Sequence, residues 1–338
     1  MGAHIVAIDT FIKDFMPNLQ INGWSNDWFG GYPLYYFYFP LPAIITYILN
    51  LVFSFGIAFK IMVVMSTILV VYSIEKLMRK TSNQISIYGA TAGLFYVFTE
   101  SFTIYGGNLA STLAGQFSFA YSLAFANLSI FYLIKSENKF RFTISSIFLA
   151  LCLLSHLIPF IIYSPIYAFY WLSKKQNLNQ RILSIFIFLA LVSRWSVSLL
   201  MNLEYTTNMS YTPFSRLDDL IKKDILPIIF ILIGLLIAKH KNLIKYKTIN
   251  LFDLYIISSS VLLYFYVPEG ALWNGRLVPF FNLGIIFLFF KAVEIFIDDI
   301  NLYQQGVNVL TGLFLGGTIY CLYIFCLLYT SPSPRDLG

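Results

Sequence analysis

The sequence predicts an all-α, polytopic membrane protein, and three observations carry that prediction. Hydrophobic residues make up 58% of the 338 residues, while charged residues make up 11%. Mean hydropathy is +0.74. Apolar runs of about 20 residues, the length of a bilayer-spanning helix, recur along the whole chain. A soluble domain carries about 25% charged residues, so nothing here can clothe a water-soluble enzyme. The runs are continuous rather than alternating, which excludes transmembrane strands. Cys152, Cys321 and Cys326 lie in apolar runs without metal-ligand spacing and read as packing residues.

Ten candidate spans follow from hydropathy: 56–73, 85–103, 113–134, 142–157, 160–172, 182–200, 225–238, 251–267, 277–293 and 307–325. The net charge of +6 is mostly topological information. Basic clusters mark cytoplasmic loops. They are "EKLMRK" (75–80), "KSENKFR" (135–141), "KKQNLNQR" (174–181) and "KHKNLIKYK" (239–247). The number of crossings between any two must be even. Between 141 and 174 this demands two short helices, and Pro159 in "SHLIPF" supplies the break. The same parity places 1–33, 104–112, 201–224 and 268–276 together on the outer face. Only one crossing then fits between residues 33 and 75. The proline-containing stretch 35–53, which opens on an aromatic run, is therefore predicted to be a juxtamembrane or re-entrant helix, and 56–73 the true span. The first 33 residues are polar and aromatic, without the apolar core of a signal peptide.

The outer segments also hold the residues able to do chemistry. They are His4, Trp24, Asp27 and Trp28 in the first, Glu100, Asn108 and Gln116 in the second, and Asn274 and Arg276 in the last. His156 and Arg194 lie within or beside spans. Each has a plainer reading. Gly107, Ser111 and Gly115, like Ala110, Ala114 and Ser118, recur every four positions, which suits close helix packing. His156 can cap carbonyls freed at the helix break. Arg194 can snorkel to the interface. Arg276 is harder to dismiss: a mid-membrane Arg costs at least about 2.5 kcal/mol, so such a group has a partner or a ligand. Its planar fork suits phosphate.

Four segments, "GWSNDWFGGYPLYYFYFPLPA", "YGGNLASTLAGQFSFAYSLA", "LLSHLIPF" and "LWNGRLVPFFNL", together resemble the prokaryotic membrane-protein family labelled "6-pyruvoyl-tetrahydropterin synthase-related". The resemblance covers roughly residues 1–293. No His-rich zinc site of the soluble pterin synthase is present. The family is similar in architecture to the GT-C class of glycosyltransferases, which use polyprenyl-phosphate sugars and carry a catalytic acid in their first outer loop. In the family a first transmembrane helix leads into a "GD-x-x-x-H"-like motif. "MGAH" aligns with its last four residues, which puts His4 on the motif histidine and the acid immediately before Met1. Met1 thus reads as an internal methionine. Gln116 stands where many relatives have Glu.

The resemblance implies an integral protein of the prokaryotic cytoplasmic membrane with its active face extracytoplasmic. It implies a polyprenyl-phosphate-linked sugar as substrate and no nucleic acid as partner. His4 and Glu100 would be catalytic, with a divalent metal as an alternative use of the missing acid and His4. Arg276, Arg194 and Asn274 would hold the lipid phosphate. Trp24, Asp27, Trp28, Asn108 and Gln116 would line the sugar or acceptor site. A lipid or solute transporter, a flippase, and a non-catalytic protein of envelope assembly are the rival readings. The organisation expected is an outer loop at 1–33, a transmembrane helical domain at 34–325, and a tail at 326–338. Within that tail, "CLLYTSPSPRD" resembles a translated sequencing-library adaptor. The chain then reads as the middle of a longer enzyme, inactive as it stands.

Overall fold

A computed structural model describes residues 2–27, 30–79, 85–99, 104–136, 139–173, 178–207, 213–214, 217–221, 225, 228–229, 232, 251–268 and 272–299. The fold is all-α with one small hairpin. Four helices among the described residues are long and apolar enough to cross a membrane: Phe55–Met78, Leu109–Ile134, Leu178–Met201 and Asn274–Glu294. Most of the span expected at 225–238, all of that at 307–325, and the tail lie outside the described residues.

The segment expected as an outer loop is largely helical. Helix α1 (Gly2–Thr10) continues through a π-turn at Phe11–Phe15 and a 3-10 turn at Met16–Asn18. Phe11 and Phe15 are buried and carry the turn into the core. The antiparallel hairpin β1 (Gly23–Ser25) and β2 (Tyr32–Leu34) follows. Asp27 ties the hairpin to α1 by accepting from the Thr10 hydroxyl at 2.6 Å.

Helix α2 (Leu41–Asn50) starts at the prolines, with Pro42 in its first turn, where a missing N–H costs nothing. The stretch 35–40 ahead of it is not helical, contrary to expectation. At ten residues α2 is about 15 Å long, half the hydrocarbon thickness of a bilayer, so it does not cross.

Helix α3 (Phe55–Met78) turns into α4 (Ile87–Val97), which is shorter than the span expected at 85–103. It stops because the Asn108 amide takes the Thr99 carbonyl at 2.6 Å just beyond its end. The two helices touch backbone to backbone. A Cβ at Gly93 would lie 2.9 Å from the Val71 carbonyl oxygen.

The central helix begins as a single turn, α5 (Leu109–Ser111), passes a π-turn at Thr112–Gln116, and continues as α6 (Phe117–Ile134). Gly115 has φ 109°, which breaks the helix there. The small residues expected to form two helical stripes therefore do not lie on one helix. Gly107 sits in the preceding loop, where a Cβ would collide with the Tyr96 hydroxyl.

Helices α7 (Arg141–Ser155) and α8 (Leu157–Ser173) form the expected broken pair, but the break is at His156, not Pro159. His156 is fully extended at φ −169°, ψ 137°. Pro159 sits in the first turn of α8, where N–H groups have no intrahelical partner to lose. The helices fold back on each other, since Ser146 near the start of α7 lies 3.1 Å from the Tyr167 hydroxyl near the end of α8.

Helix α9 (Leu178–Met201) lies at the edge of the bundle, with Phe186, Leu189, Val197 and Met201 exposed as in a lipid-facing helix. The short α10 (Leu217–Leu220), α11 (Leu251–Tyr266) and α12 (Val278–Asp299) complete the described helices.

Polar groups knit the bundle from inside. Asn127 donates to Ser73 on α3 at 3.1 Å and accepts from Tyr163 on α8 at 2.6 Å. Ser145 donates to the Ser129 carbonyl, and Tyr121 to the Met62 carbonyl. The cluster-bearing ends of α3, α6 and α8 meet the start of α11 and the latter part of α12 at one end of the bundle. The hairpin strands, segments 104–116, 194–207 and 272–278, and Phe214 meet at the other. Asn22 donates to Ser198 there, and Asn274 binds both backbone groups of Phe214. Segments that charge parity assigns to one face thus share one end.

The α3–α4 contact is testable. Gly93→Ala should destabilise the folded chain by about 1–3 kcal/mol through overpacking. Gly56→Ala, at which a Cβ meets nothing within 4 Å, should leave thermal unfolding in detergent unchanged or slightly raised.

Candidate functional site

The hairpin end is built around two irregular pieces of backbone, the π-turn at Thr112–Gln116 and the break at His156. The aromatic run 35–39 threads between them. Tyr38 and Phe117 flank the His4 ring, with centroids 5.7 and 5.0 Å away. The next residues in register do the same for His156: Phe39 stacks on it at 4.7 Å and Phe119 meets it edge-on at 5.3 Å. Trp195 closes the back by packing on Phe39 and donating to the Tyr38 carbonyl at 3.0 Å. The aromatic run that reads as an interfacial belt is therefore a wall separating two imidazoles.

Arg276 enters from the 3-10 turn at Asn274–Leu277 that precedes α12. It donates to the Gln116 amide oxygen at 2.7 Å and to the Tyr105 carbonyl at 3.2 Å. Gln116 occupies the last position of the π-turn, so the kink at Gly115 aims it at the guanidinium. Glu in its place would make a full ion pair; the amide leaves the Arg charge unneutralised by this contact. Arg276 also acts electrostatically on Tyr38, whose hydroxyl faces Ser118. Burial raises the Tyr38 phenol above its usual range, and Arg276 offsets only part of that, so the group stays a neutral O–H donor. Tyr105, Phe214 and Trp273 form an aromatic trio beside Arg276, with centroids 5.1 to 5.9 Å apart.

His156 turns out to be a cap of a different kind from the one expected. Its Nδ1 accepts from the Ile158 backbone N–H at 3.2 Å, so the side chain caps the start of α8 rather than freed carbonyls. In the neutral ring the proton then resides on Nε2. The Ser122 hydroxyl faces the His156 carbonyl at 2.9 Å and also lies 2.9 Å from the Cys152 carbonyl, which accepts the His156 N–H.

Among the sequence-predicted residues the structure joins Gln116 to Arg276, and it places His4 against Phe117, the residue after Gln116. It gives the others different surroundings. Asn274 is buried, with its amide oxygen accepting from the Phe214 N–H and its nitrogen donating to the Phe214 and Tyr264 carbonyls. It clamps the turn that carries Arg276 rather than facing a ligand. Asn108 is buried and caps α5 by accepting from the Ser111 N–H at 2.8 Å. Arg194 is exposed and donates to the Leu19 carbonyl at 2.6 Å, which holds the α1 extension against α9. Asp27 is exposed and engaged with Thr10 and Ser25. Trp24 is 61% exposed, with its indole laid against Gly31 on the outside of the hairpin. Glu100 and Trp28 lie outside the described residues. Sequence reasoning missed Tyr38, Phe39 and Ser118 as part of this cluster. Their only signal was adjacency to flagged segments.

Among the described residues, no group of three His, Cys, Asp or Glu side chains could hold a metal ion. Compared with family models, with curated proteins and with solved structures, the chain finds no match. The family resemblance stated above therefore rests on the quoted motifs alone.

Asn274→Ala removes three buried hydrogen bonds from the turn under Arg276. Leaving their partners unsatisfied should cost about 2–3 kcal/mol, read as a lower thermal midpoint of the purified chain.

Proposed function

We propose that the hairpin end binds the phosphate of a membrane-carried amphiphile. On this reading the protein belongs to a GT-C-like glycosyltransferase that draws sugar from polyprenyl phosphate at the extracytoplasmic face of a prokaryotic cytoplasmic membrane, within a bundle of about ten spans. The observation that carries the reading is the setting of Arg276. A half-buried guanidinium is held by the Gln116 amide oxygen and a backbone carbonyl, with His156 and the Tyr38 phenol within its electrostatic reach. A guanidinium oriented by these contacts, with a phenol O–H near it, suits an oxyanion.

In this mechanism Arg276 stabilises charge as it builds on the departing lipid phosphate. Gln116 and the Tyr105 carbonyl orient the guanidinium before substrate arrives, so that cost is not met during the reaction. Tyr38 donates a hydrogen bond from the same side. His4 is the group in this cluster suited to take a proton from an acceptor hydroxyl. The exposed Trp24 offers a face on which a sugar can stack.

The test is retention and turnover of radiolabelled polyprenyl-phosphate sugar in proteoliposomes of the full-length protein. Arg276→Ala should lower transfer by about 100-fold or more and weaken lipid retention, with expression and helical content kept. Arg194→Ala should stay within about twofold, as an exposed residue away from the cluster. Equal retention and turnover in Arg276→Ala would sink the proposal. Label that crosses the bilayer without new product would assign a transporter instead.

A further inference from the structure

A second polar assembly lies at the opposite, basic end of the bundle, and the proposed transferase chemistry does not use it. Five helices converge there around a cavity of about 210 Å³. Its walls are mostly apolar, with Ile134, Phe252 and Phe287 among them, and its polar lining is Lys135, Tyr170, Asp253 and Lys291. Asp253 and Lys291 are buried and paired at 2.5 Å, which links α11 to α12. Lys135 lies one residue beyond α6. It donates to the Leu77 and Arg79 carbonyls at 2.5 and 2.6 Å, which caps the end of α3.

Within the cavity lining the ammonium groups are in excess, with the Glu294 carboxylate nearby outside it. Asp253 answers Lys291, and Glu75 holds Arg79 by hydrogen bonds to both of its carboxylate oxygens. Lys135 forms no ion pair with a described residue, although Asp253 and Glu294 act on it at longer range. The polar lining thus holds two ammonium groups and one carboxylate. Burial, with Lys291 nearby, brings the Lys135 ammonium down to about 8. The group stays mostly protonated near pH 7, and a bound anion would raise it again. A cationic group at the end of a mostly apolar cavity, between helix ends at a membrane surface, matches a headgroup with a hydrocarbon chain attached.

We propose that this cavity is a second binding site, which takes a phosphate monoanion and, through its apolar walls, the glycerol and upper acyl chain of an anionic phospholipid. Lys135 supplies the charge that recognises the phosphate. Tyr170 and the Asp253–Lys291 pair form the polar floor, with Phe252 and Phe287 against the hydrocarbon.

The experiment uses the full chain, purified in a neutral detergent free of phosphate and lipid. Its thermal midpoint is followed during titration with micelles containing phosphatidylglycerol, with phosphatidylcholine micelles, and with inorganic phosphate. Phosphatidylglycerol should raise the midpoint by several degrees through binding to the folded state, and phosphatidylcholine should not. If inorganic phosphate alone gives the full shift, the site takes the free anion and the lipid part of the proposal fails. If neither anion shifts the midpoint, the proposal fails entirely.

Lys135→Gln should weaken phosphatidylglycerol binding about fivefold, the worth of one basic group near a membrane surface. Because Lys135 also caps α3, a second variant is needed. Leu251→Trp grows into the cavity from a half-exposed wall residue and leaves every charge in place. It should abolish the lipid-induced shift while helical content is kept. A Leu251→Trp chain that responds to phosphatidylglycerol like the original would overturn the assignment to this cavity.

Discussion

The bundle depends on Asn127. Its side chain sits at zero exposure in α6 and joins Ser73 of α3 to Tyr163 of α8. In surroundings this apolar, water cannot satisfy an amide, so the partners must come from other helices. That requirement fixes which faces of α3, α6 and α8 meet, since three hydrophobic helices have no other strong reason to choose one rotation. Ser122 repeats the principle one turn and a half earlier. It binds the His156 carbonyl where α7 ends, so the helix break is tolerated because α6 lies against it.

Irregular backbone at membrane depth persists only where protein covers it or where it lines a cavity. Here the break at His156 and the π-turn at Thr112–Gln116 lie side by side, with 35–39 between them. Each re-aims a side chain that a straight helix would have pointed elsewhere. The kink at Gly115 turns Gln116 toward Arg276, and the extended His156 lets its ring stack on Phe39. The site is a consequence of how two helix defects are packed.

Polar residues at this end divide by what their hydrogen bonds are spent on. Asn108, Asn274, Arg194 and Asp27 hold loops in place. His4, Tyr38, Gln116 and Arg276 are half-buried, with His4 against Tyr38 and Gln116 bound to Arg276. The sequence shows both sets as rare polar residues near apolar runs, and that signal cannot separate them. Asn274 and Arg276 are two positions apart, yet one is a clamp and the other the central cation. The helical stripe of Gly107, Ser111 and Gly115 misled for a related reason. Small residues every four positions fit a packing face, but glycine also permits the positive φ that ends the helix.

The sequence by itself determined the all-α, strongly apolar character, the approximate places of most described helices after residue 40, and which of their ends lie together. Those properties are sums of local terms: hydropathy over about 20 residues and basic charge at loop positions. Even the paired helices α7 and α8 follow from crossing parity. Only the tertiary structure decided where α7 breaks, that the first segment is helical, that α2 is short, and that Tyr38 and Phe39 stand between two histidines. These outcomes depend on partners far apart in the chain, such as Gln116 with Arg276 and Leu19 with Arg194, separated by 160 and 175 positions. No local pattern encodes such pairs, because each exists only after the helices between them have packed.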